Sequence, residues 1–307
     1  MNNLDNLYPC LDSIKRNTTV SYETFVVAFL FSQENLDKLR IDYPWVRIVE
    51  SNEYRGFSEN NNLALRLATG KYCFVLNDDT YHEMPVIDEL VSDFEQLPTN
   101  VAVISPVTLN RDGSVQRCGK PKYSMLTYFL GLLKLIDIYE KHSSYVNKQG
   151  LFKTYNLSGA CFMIKRDVFE KFGWFDEKYY FCPEDIALST LLNNNGYECW
   201  VDTDIQLTHY AGGTRSKMLT ATGPTMAKGA QIFYTNGSKF KLFIFNFVST
   251  FIYIFRALYW KMKVLFNIND EKCKNSYEAT KQSIRALYSN ETPKQLFIRR
   301  IQEIKKV

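Results

Sequence analysis

The chain has 307 residues, of which 46% are hydrophobic and 23% charged, a composition typical of a globular protein with one large core or two smaller ones. The formal net charge is +4, and the excess lies mostly in residues 238–307. That charge is too small and too local to indicate a nucleic-acid-binding protein, although it suits an anionic membrane surface.

Residues 4–76 alternate between predicted helices and strands. A helix with one apolar face ("LDNLYPCLDSIKRNT") precedes a buried strand ("TFVVAFLF"), and a helix stopped by Pro44 precedes a short strand ("WVRIVES"). The next helix has Ser58 as its predicted N-cap and closes on Gly70, before a buried strand at 71–76. This alternation predicts βαβ units and a mostly parallel sheet, in which ligands bind beyond the carboxyl ends of the strands.

The residues after 100 predict a further set of strands and helices. A strand at 101–109 precedes a strongly apolar helix at 125–139 and a strand followed by a helix at 161–175. A helix at 184–197 then leads to a last strand and a loop that carries His209, one of three histidines in the chain.

Polar side chains at two of these element ends are candidates for chemistry. Asn77, Asp78 and Asp79 follow a buried strand, and their oxygen atoms suit a hard divalent cation, although a solvated turn explains this motif alone equally well. Glu184 and Asp185 open a helix, where simple capping is the alternative explanation. A second kind of observation is needed to choose between these interpretations.

The order of the motifs resembles that of the family 2 glycosyltransferases of the GT-A fold, and most of all their bacterial rhamnosyltransferase-like branch. Four segments carry the resemblance in the family's order: "RGFSENNNLALRLATGKYCFVLNDDT", "SGACFMIKRDVFEKFGWFDE", "PED" and "HYAGGT". The resemblance covers residues 4–215. It implies an α/β fold of the Rossmann-like nucleotide-diphospho-sugar transferase type and an enzyme that transfers a sugar.

The resemblance also implies a role for each matching residue. Asp79 and His209 match metal ligands, and Asp185 matches the catalytic base, with Glu184 beside it. The donor-binding positions are Arg55, Gly56, Phe57, Asn61, Asn77 and Asp78. The segment on the acceptor side is Ser158, Gly159 and Ala160.

Elementary chemistry agrees with these implied roles. A divalent metal can neutralise the departing diphosphate, and oxygen ligands with one imidazole suit Mg²⁺ or Mn²⁺. A positioned carboxylate can take the proton of the attacking hydroxyl. One base without a nucleophile implies a single displacement with inversion at the sugar carbon.

The chain departs from the family's pattern in two places. Family members usually open with a strand that reads approximately V-S-I-I-I-V-x-Y-N, and this chain starts after that motif. We therefore expect the GT-A topology with a gap where the strand belongs, and weak donor binding. The family's base-contacting Asp at the end of its second strand is replaced here by Ala28.

The segment 241–263 ("KLFIFNFVSTFIYIFRALYWKMK") is long enough to test as a membrane span. A polar stripe follows one side of the predicted helix, and lysines flank both of its ends. Arg256 lies in the interior of the segment, where placing its charge in hydrocarbon would cost free energy. An interfacial helix on the cytosolic leaflet is therefore expected, and a helix packed on the protein is the alternative.

These observations predict a glycosyltransferase domain at 1–236, with a nucleotide-binding half at 1–110 and an acceptor half at 111–236. A helical extension is predicted at 237–307, and association with a membrane is an expectation for it. The expected partners are a nucleotide-diphosphate sugar, a glycan or lipid-linked acceptor of cell-surface polysaccharide synthesis, and the membrane surface, with no nucleic acid.

The expected location is the cytoplasm, peripherally on the cytosolic face of the inner membrane. Residues 1–20 lack the apolar segment of a signal peptide, and the seven scattered cysteines form no C-x-x-C pair, which favours reduced thiols. A nucleotidyltransferase would need a Gly-rich phosphate loop near the amino terminus, which is not found. A catalytically impaired GT-A protein that binds sugar or acts as a scaffold remains the alternative function.

Overall fold

The computed structural model of the chain describes residues 2–116, 119–141, 145, 148–157, 159–210, 218–267 and 270–305. The elements up to residue 116 are α1 (Leu4–Asn17), β1 (Thr24–Phe29), α2 (Gln33–Asp42), β2 (Val46–Ser51), α3 (Phe57–Leu65), β3 (Tyr72–Leu76), β4 (Thr80–Tyr81), α4 (Val86–Gln96), β5 (Val101–Leu109) and β6 (Val115–Gln116).

The elements between residues 119 and 210 are α5 (Met125–Leu132), α6 (Ile136–Lys141), β7 (Leu151–Thr154), β8 (Cys161–Lys165), α7 (Arg166–Lys171), α8 (Glu184–Asn194) and β9 (Glu198–His209). Four helices follow: α9 (Leu219–Thr235), α10 (Lys239–Phe266), α11 (Glu271–Tyr288) and α12 (Pro293–Lys305).

The chain divides into two compact units. The first comprises Met1–Lys122, Ser143–Asp176 and Asp185–Ala211, and it contains all the strands given above. The second comprises Tyr123–His142, Glu177–Glu184 and Gly212–Val307, and it is helical. The sequence placed a boundary at 236/237 instead, whereas α9 groups with the later helices because it packs against α11 and α12.

The strands of the first unit form two sheets. β1 and β2 pair in parallel, as the β1–α2–β2 order predicts. The other sheet has seven strands in the order β3-β8-β5-β9-β4, with β6 on β5 and β7 on β9. Among the described residues no strand joins β1–β2 to β3, so the sheet is interrupted where the gap was expected.

The prediction of a mostly parallel sheet is wrong in its strand pairing. Of the described pairings only β1–β2 and β5–β9 are parallel, because β8 enters between β3 and β5 in the opposite direction. Since both β3 and β5 are antiparallel to β8, the strands β3, β5 and β9 run the same way. Their carboxyl ends therefore lie at one edge of the sheet, as the functional argument requires.

Apolar side chains cover both faces of the central strands. Phe162 and Ile164 of β8 lie in one cluster of buried residues, whereas Cys161 and Met163 lie in another. This alternation is the period of two expected of a strand between two layers. Consistent with burial on both faces, residues 101–108 of β5 are all buried.

Two predicted helices differ from the observed ones. The helix predicted at 125–139 is two shorter helices, α5 and α6, and Lys134 between them has a φ of 61°. The predicted N-cap Ser58 lies inside α3: Gly56 occupies the cap, and its N–H donates to the Glu59 carboxylate at 3.0 Å. Glu59, three residues after the cap, thus forms the Glu half of a capping box, which agrees with the earlier start.

Candidate active site

The acidic motif is held at the sheet edge by backbone pairing. Asn77 N–H donates to Ala160 O at 3.0 Å, which extends the β3–β8 pairing by one residue. Thr80 pairs with His209 across β4 and β9, and Tyr210 N–H donates to Asp79 O at 2.9 Å. The fold therefore brings together two segments that are far apart in sequence.

Asp79 and His209 face each other at short distance. His209 Nε2 lies 3.3 Å from Asp79 Oδ1, and the two side chains are 12% and 18% exposed. Two neighbouring ligands of an octahedral ion, each at about 2.1 Å, are about 3.0 Å apart, so this spacing fits one shared cation. Asn77 Nδ2 lies 3.4 Å from the same Nε2.

The donor set at this edge also fits such a cation chemically. Among the described residues no group of three His, Cys, Asp or Glu side chains could hold a metal by itself. Mg²⁺ in nucleotide enzymes commonly takes only one or two protein ligands and leaves its other positions to phosphate oxygens and water. A pair of ligands is therefore what such an ion needs here.

Thr80, which the sequence analysis missed, closes the turn that carries Asn77, Asp78 and Asp79. Thr80 Oγ1 donates to Asn77 O at 2.8 Å and is 3.5 Å from Cys10 Sγ. Burial raises the pKa of Cys10 to about 11, so this thiol stays neutral. Burial, with the adjacent Asp79 charge, also raises the pKa of Asp78.

Gln116 is a second residue that the sequence analysis missed. Its Nε2 donates to the main-chain oxygen of His209 at 2.8 Å and to Asn110 Oδ1 at 3.0 Å. Its Oε1 lies 3.1 Å from His209 Nδ1. Gln116 thus holds His209 from the side opposite Asp79, and 93 residues of sequence separate the two.

Asp185 lies in the first turn of α8 and points its carboxylate at backbone N–H groups. Oδ2 accepts from Gly159 N–H at 3.1 Å, and Oδ1 accepts from Ile186 N–H at 2.8 Å. A Cβ on Gly159 would lie 3.4 Å from Asp185 Cβ, which is ordinary contact. Glu184 is only 8% exposed, and Ser158 lies outside the described residues.

The predicted acceptor segment, of which Gly159 and Ala160 are described, contacts both the acidic motif that follows β3 and Asp185. Ala160 O accepts from Asn77 N–H, and the adjacent Gly159 N–H donates to Asp185. A run of main-chain contacts therefore joins the end of β3 to the start of α8. The structure places Asp185 and the Asp79–His209 pair around one short stretch of backbone.

Four of the predicted donor residues, Arg55, Gly56, Phe57 and Asn61, lie just before α3 or within it. Arg55 Nη1 donates to Ser51 Oγ at 3.2 Å, and its Nη2 is 3.0 Å from Glu53 Oε2. Phe57 packs its ring edge-on against Phe175 at 5.6 Å between centroids. Asn61 Nδ2 donates to Phe57 O at 2.9 Å, which is a bond within its own helix.

Comparison with known proteins identifies relatives of the chain. A family model described as glycosyl transferase family 2 matches residues 1–173. The O-antigen biosynthesis protein RfbC of Myxococcus xanthus is 26% identical over 211 residues, which cover 65% of this chain and 15% of that protein. The low-salt glycan biosynthesis hexosyltransferase Agl10 of Haloferax volcanii is 27% identical over 145 residues, which cover 46% of this chain and 44% of that protein.

A solved structure shares the fold. The mannosyltransferase PcManGT of Pyrobaculum calidifontis, in complex with GDP-Man and Mn²⁺, superposes with a TM-score of 0.56 at 13% identity. The match covers 94% of this chain and 85% of that one. The predicted α/β GT-A fold is confirmed, as is the predicted family. The chain spans less than half the length of either curated relative.

Proposed function

The chain belongs to glycosyl transferase family 2, and from that premise we propose that it transfers a sugar from a nucleotide-diphosphate donor to a glycan or lipid-linked acceptor. The observation that carries the proposal is the 3.3 Å approach of Asp79 and His209 at the sheet edge. Glycan synthesis as the setting is supported by the two relatives named for O-antigen and glycan biosynthesis. The same relatives support the predicted role in cell-surface polysaccharide synthesis.

Asp79 and His209 would hold the divalent metal, with Asn77 next to them. When bound, Mg²⁺ or Mn²⁺ neutralises charge on the diphosphate of the donor. A mixed carboxylate and imidazole pair accepts either ion. The Mn²⁺ bound to the mannosyltransferase of the same fold supports Mn²⁺ as the first ion to test.

Asp185 is the proposed base. Its two backbone hydrogen bonds fix the orientation of the carboxylate, so it can receive the proton of an acceptor hydroxyl that approaches over Gly159. The hydroxyl oxygen forms a bond to the anomeric carbon while the bond from that carbon to the diphosphate breaks. The proton goes to Asp185 and the electron pair to the nucleoside diphosphate, and this single displacement inverts the anomeric centre.

The second unit supports a location at the membrane. α10 is the one helix in the described part of the chain that is long and apolar enough to cross a bilayer. Its polar stripe faces the other helices of its unit: Gln231 donates to Asn246, and Tyr253 OH lies 3.1 Å from Tyr128 OH. Arg256 Nη1 donates to the main-chain oxygen of Leu132 at 3.4 Å.

The opposite face of α10 is apolar and exposed. Its large exposed side chains include Phe243, Phe247, Phe251, Phe255, Leu258, Met262 and Phe266. The helix has five basic residues and no acidic one. Because the polar side packs inward and the apolar side faces outward, the arrangement suits a helix that lies in the interface of an anionic membrane, with its lysines at the headgroups.

A second segment of the same unit adds to this surface. Leu126, Leu133, Leu135 and Ile138 of the α5–α6 region are exposed. The region is attached to α10 by the stacked rings of Tyr128 and Phe245, whose centroids are 5.0 Å apart. We include these residues with the exposed side of α10 in one membrane-facing surface.

A panel of nucleotide sugars tests the proposed activity. Each donor is screened with Mn²⁺ for thermal stabilisation of the full chain, and each donor that stabilises it is then tested for turnover with glycan and polyprenyl-phosphate-linked acceptors. Stabilisation and turnover by at least one donor are expected. Metal-dependent donor binding without hydrolysis or transfer would favour the alternative of a sugar-binding or scaffold protein.

A further inference from the structure

The orientation of the Gln116 side-chain amide is determined by a main-chain atom. The oxygen of the His209 peptide group can only accept a hydrogen bond, so the Gln116 atom at 2.8 Å from it must be the nitrogen. The amide oxygen of Gln116 therefore lies on the other side, 3.1 Å from His209 Nδ1. An amide oxygen also only accepts, and Nδ1 must then carry a hydrogen.

We propose that Gln116 is a positioning residue that holds His209 in the tautomer with hydrogen on Nδ1. This inference rests on the proposed function, because it concerns the same metal pair. With Nδ1 protonated, the neutral ring has its lone pair on Nε2, which faces Asp79 Oδ1 at 3.3 Å. Two electron-rich atoms at that distance attract a shared cation.

The other tautomer would oppose metal binding. A hydrogen on Nε2 would be donated to Asp79, and this bond would occupy both ligands at once. A cation would then have to break it before binding. The hydrogen bond that His209 Nδ1 donates to Gln116 Oε1 removes that competition in advance, and an outer partner of this kind typically changes metal affinity about 10–100-fold.

The hairpin that carries Gln116 is built to hold the amide in place. Gln116 Nε2 also donates to Asn110 Oδ1, while Asn110 Nδ2 donates to Ser114 Oγ at 2.9 Å. Gly113, at the tip, has a φ of 79°, which glycine adopts without strain. The turn thus orients Asn110, Asn110 orients Gln116, and Gln116 orients His209.

The direct test is the tautomer of His209 in the metal-free full chain. The protein is labelled with ¹⁵N-histidine, and long-range ¹H–¹⁵N correlations are recorded at pH 8.5; with three histidines in the chain, single substitutions assign the signals. A hydrogen on Nδ1 of His209 is expected. Gln116→Met should lose that preference, whereas Gln116→Glu keeps an acceptor at the same place and should retain it.

Mn²⁺ affinity, measured by titration calorimetry on the same variants, tests the consequence. Gln116→Met should bind Mn²⁺ about 10–100-fold more weakly than the wild type. Gln116→Glu should not show this loss, and neither should Val115→Ala, which alters an exposed side chain next to Gln116 in β6. Mn²⁺ affinity that is retained in Gln116→Glu but lost in Gln116→Met distinguishes positioning of the His209 ring from a general effect on folding.

Three outcomes overturn the inference: hydrogen on Nε2 in the wild type, an unchanged tautomer in Gln116→Met, or unchanged Mn²⁺ affinity in that variant. Failure of the proposed function gives a different result. If the tautomer behaves as expected but the wild type binds no Mn²⁺ with or without nucleoside diphosphate, the metal-dependent activity is refuted while the positioning of the ring stands.

Discussion

Asp185→Asn keeps the shape of the side chain and one of the two oxygens that accept from backbone N–H groups. Asp185→Asn should leave donor affinity nearly unchanged and lower turnover by at least about 10²-fold, as expected for loss of a general base. The measurements are donor binding by calorimetry and turnover at saturating donor.

Asp167→Asn is the matched control for that variant. Asp167 lies in the first turn of α7, and its Oδ1 accepts from the following N–H at 2.8 Å, as Asp185 Oδ1 does in α8. Turnover should be unaffected by this change. If Asp185→Asn stays within a few-fold of the wild type, Asp185 is not the base.

The metal pair should behave as one unit. Asp79→Ala and His209→Ala should each abolish measurable Mn²⁺ binding in the absence of a nucleotide donor, because either change leaves a single protein ligand and no phosphate oxygen supplies the others. The double variant should then be no worse than either single one, which is the non-additivity of residues that share a partner. Mn²⁺ binding that persists in both single variants, as followed by electron paramagnetic resonance, would contradict the proposed site.

His82 makes the stability of the first unit depend on pH. It is 2% exposed, and burial lowers its pKa to about 4, below the value of about 6.5 for a free histidine. The unfolded chain therefore binds a proton between pH 6.5 and 4 that the folded chain does not, and stability falls as the pH falls through that range. The full effect is about 3 kcal/mol.

His82→Gln removes this proton uptake. Its unfolding free energy, measured by denaturant titration from pH 7 to pH 4, should fall less steeply with pH than that of the wild type, whatever its absolute value. Burial also raises the pKa of Asp93 to about 7, and this shift increases stability as the pH falls, opposite to the effect of His82. The diagnostic quantity is therefore the difference in pH dependence between the variant and the wild type. Equal slopes would show that His82 does not carry the effect.

At the scale of elements, the helix α9 offers two glycines with different surroundings. A Cβ on Gly229 would lie 2.4 Å from the main-chain oxygen of Cys182, closer than real contacts allow. A Cβ on Gly223 would meet Ala279 Cβ at 3.4 Å, which is ordinary contact. The close passage of the 177–184 segment therefore requires glycine only at position 229.

Gly229→Ala should destabilise the second unit, since backbone must move to accept the methyl group. Gly223→Ala should be neutral or stabilising by up to about 1 kcal/mol, because alanine favours helix over glycine by about that amount. Thermal unfolding of the two variants provides the comparison. A similar melting temperature for both would mean that the contact with Cys182 is easily relaxed.

At the scale of the whole molecule, attachment to membranes is the testable property. Phe247→Ser/Phe251→Ser should weaken flotation with vesicles that contain anionic lipid, since both side chains lie on the exposed side of α10, at 65% and 59% exposure. Ile41→Ser/Leu67→Ser, which alters two exposed apolar residues in the first unit, should leave flotation unchanged. Equal flotation of the two double variants would exclude this surface as the lipid contact.

The sequence alone predicted most of the elements and the family. Continuous apolar runs predicted β1, β3 and β5, and of these three strands only β5 is buried at nearly every position. Four motifs in order predicted the GT-A fold, through their resemblance to the family 2 glycosyltransferases. The polar stripe of α10 was also visible in its spacing.

Only the tertiary structure decided which side chains meet and which face of a helix is covered. Gln116 contacts His209 across 93 residues of sequence because β6 and β9 both pair with β5. The antiparallel pairing of β8 with β3 and β5 likewise depends on segments that are distant in the chain. The same is true of the contacts that turn the polar stripe of α10 toward the other helices of its unit. Local sequence determines what a segment can become, whereas contacts between distant segments determine what it faces.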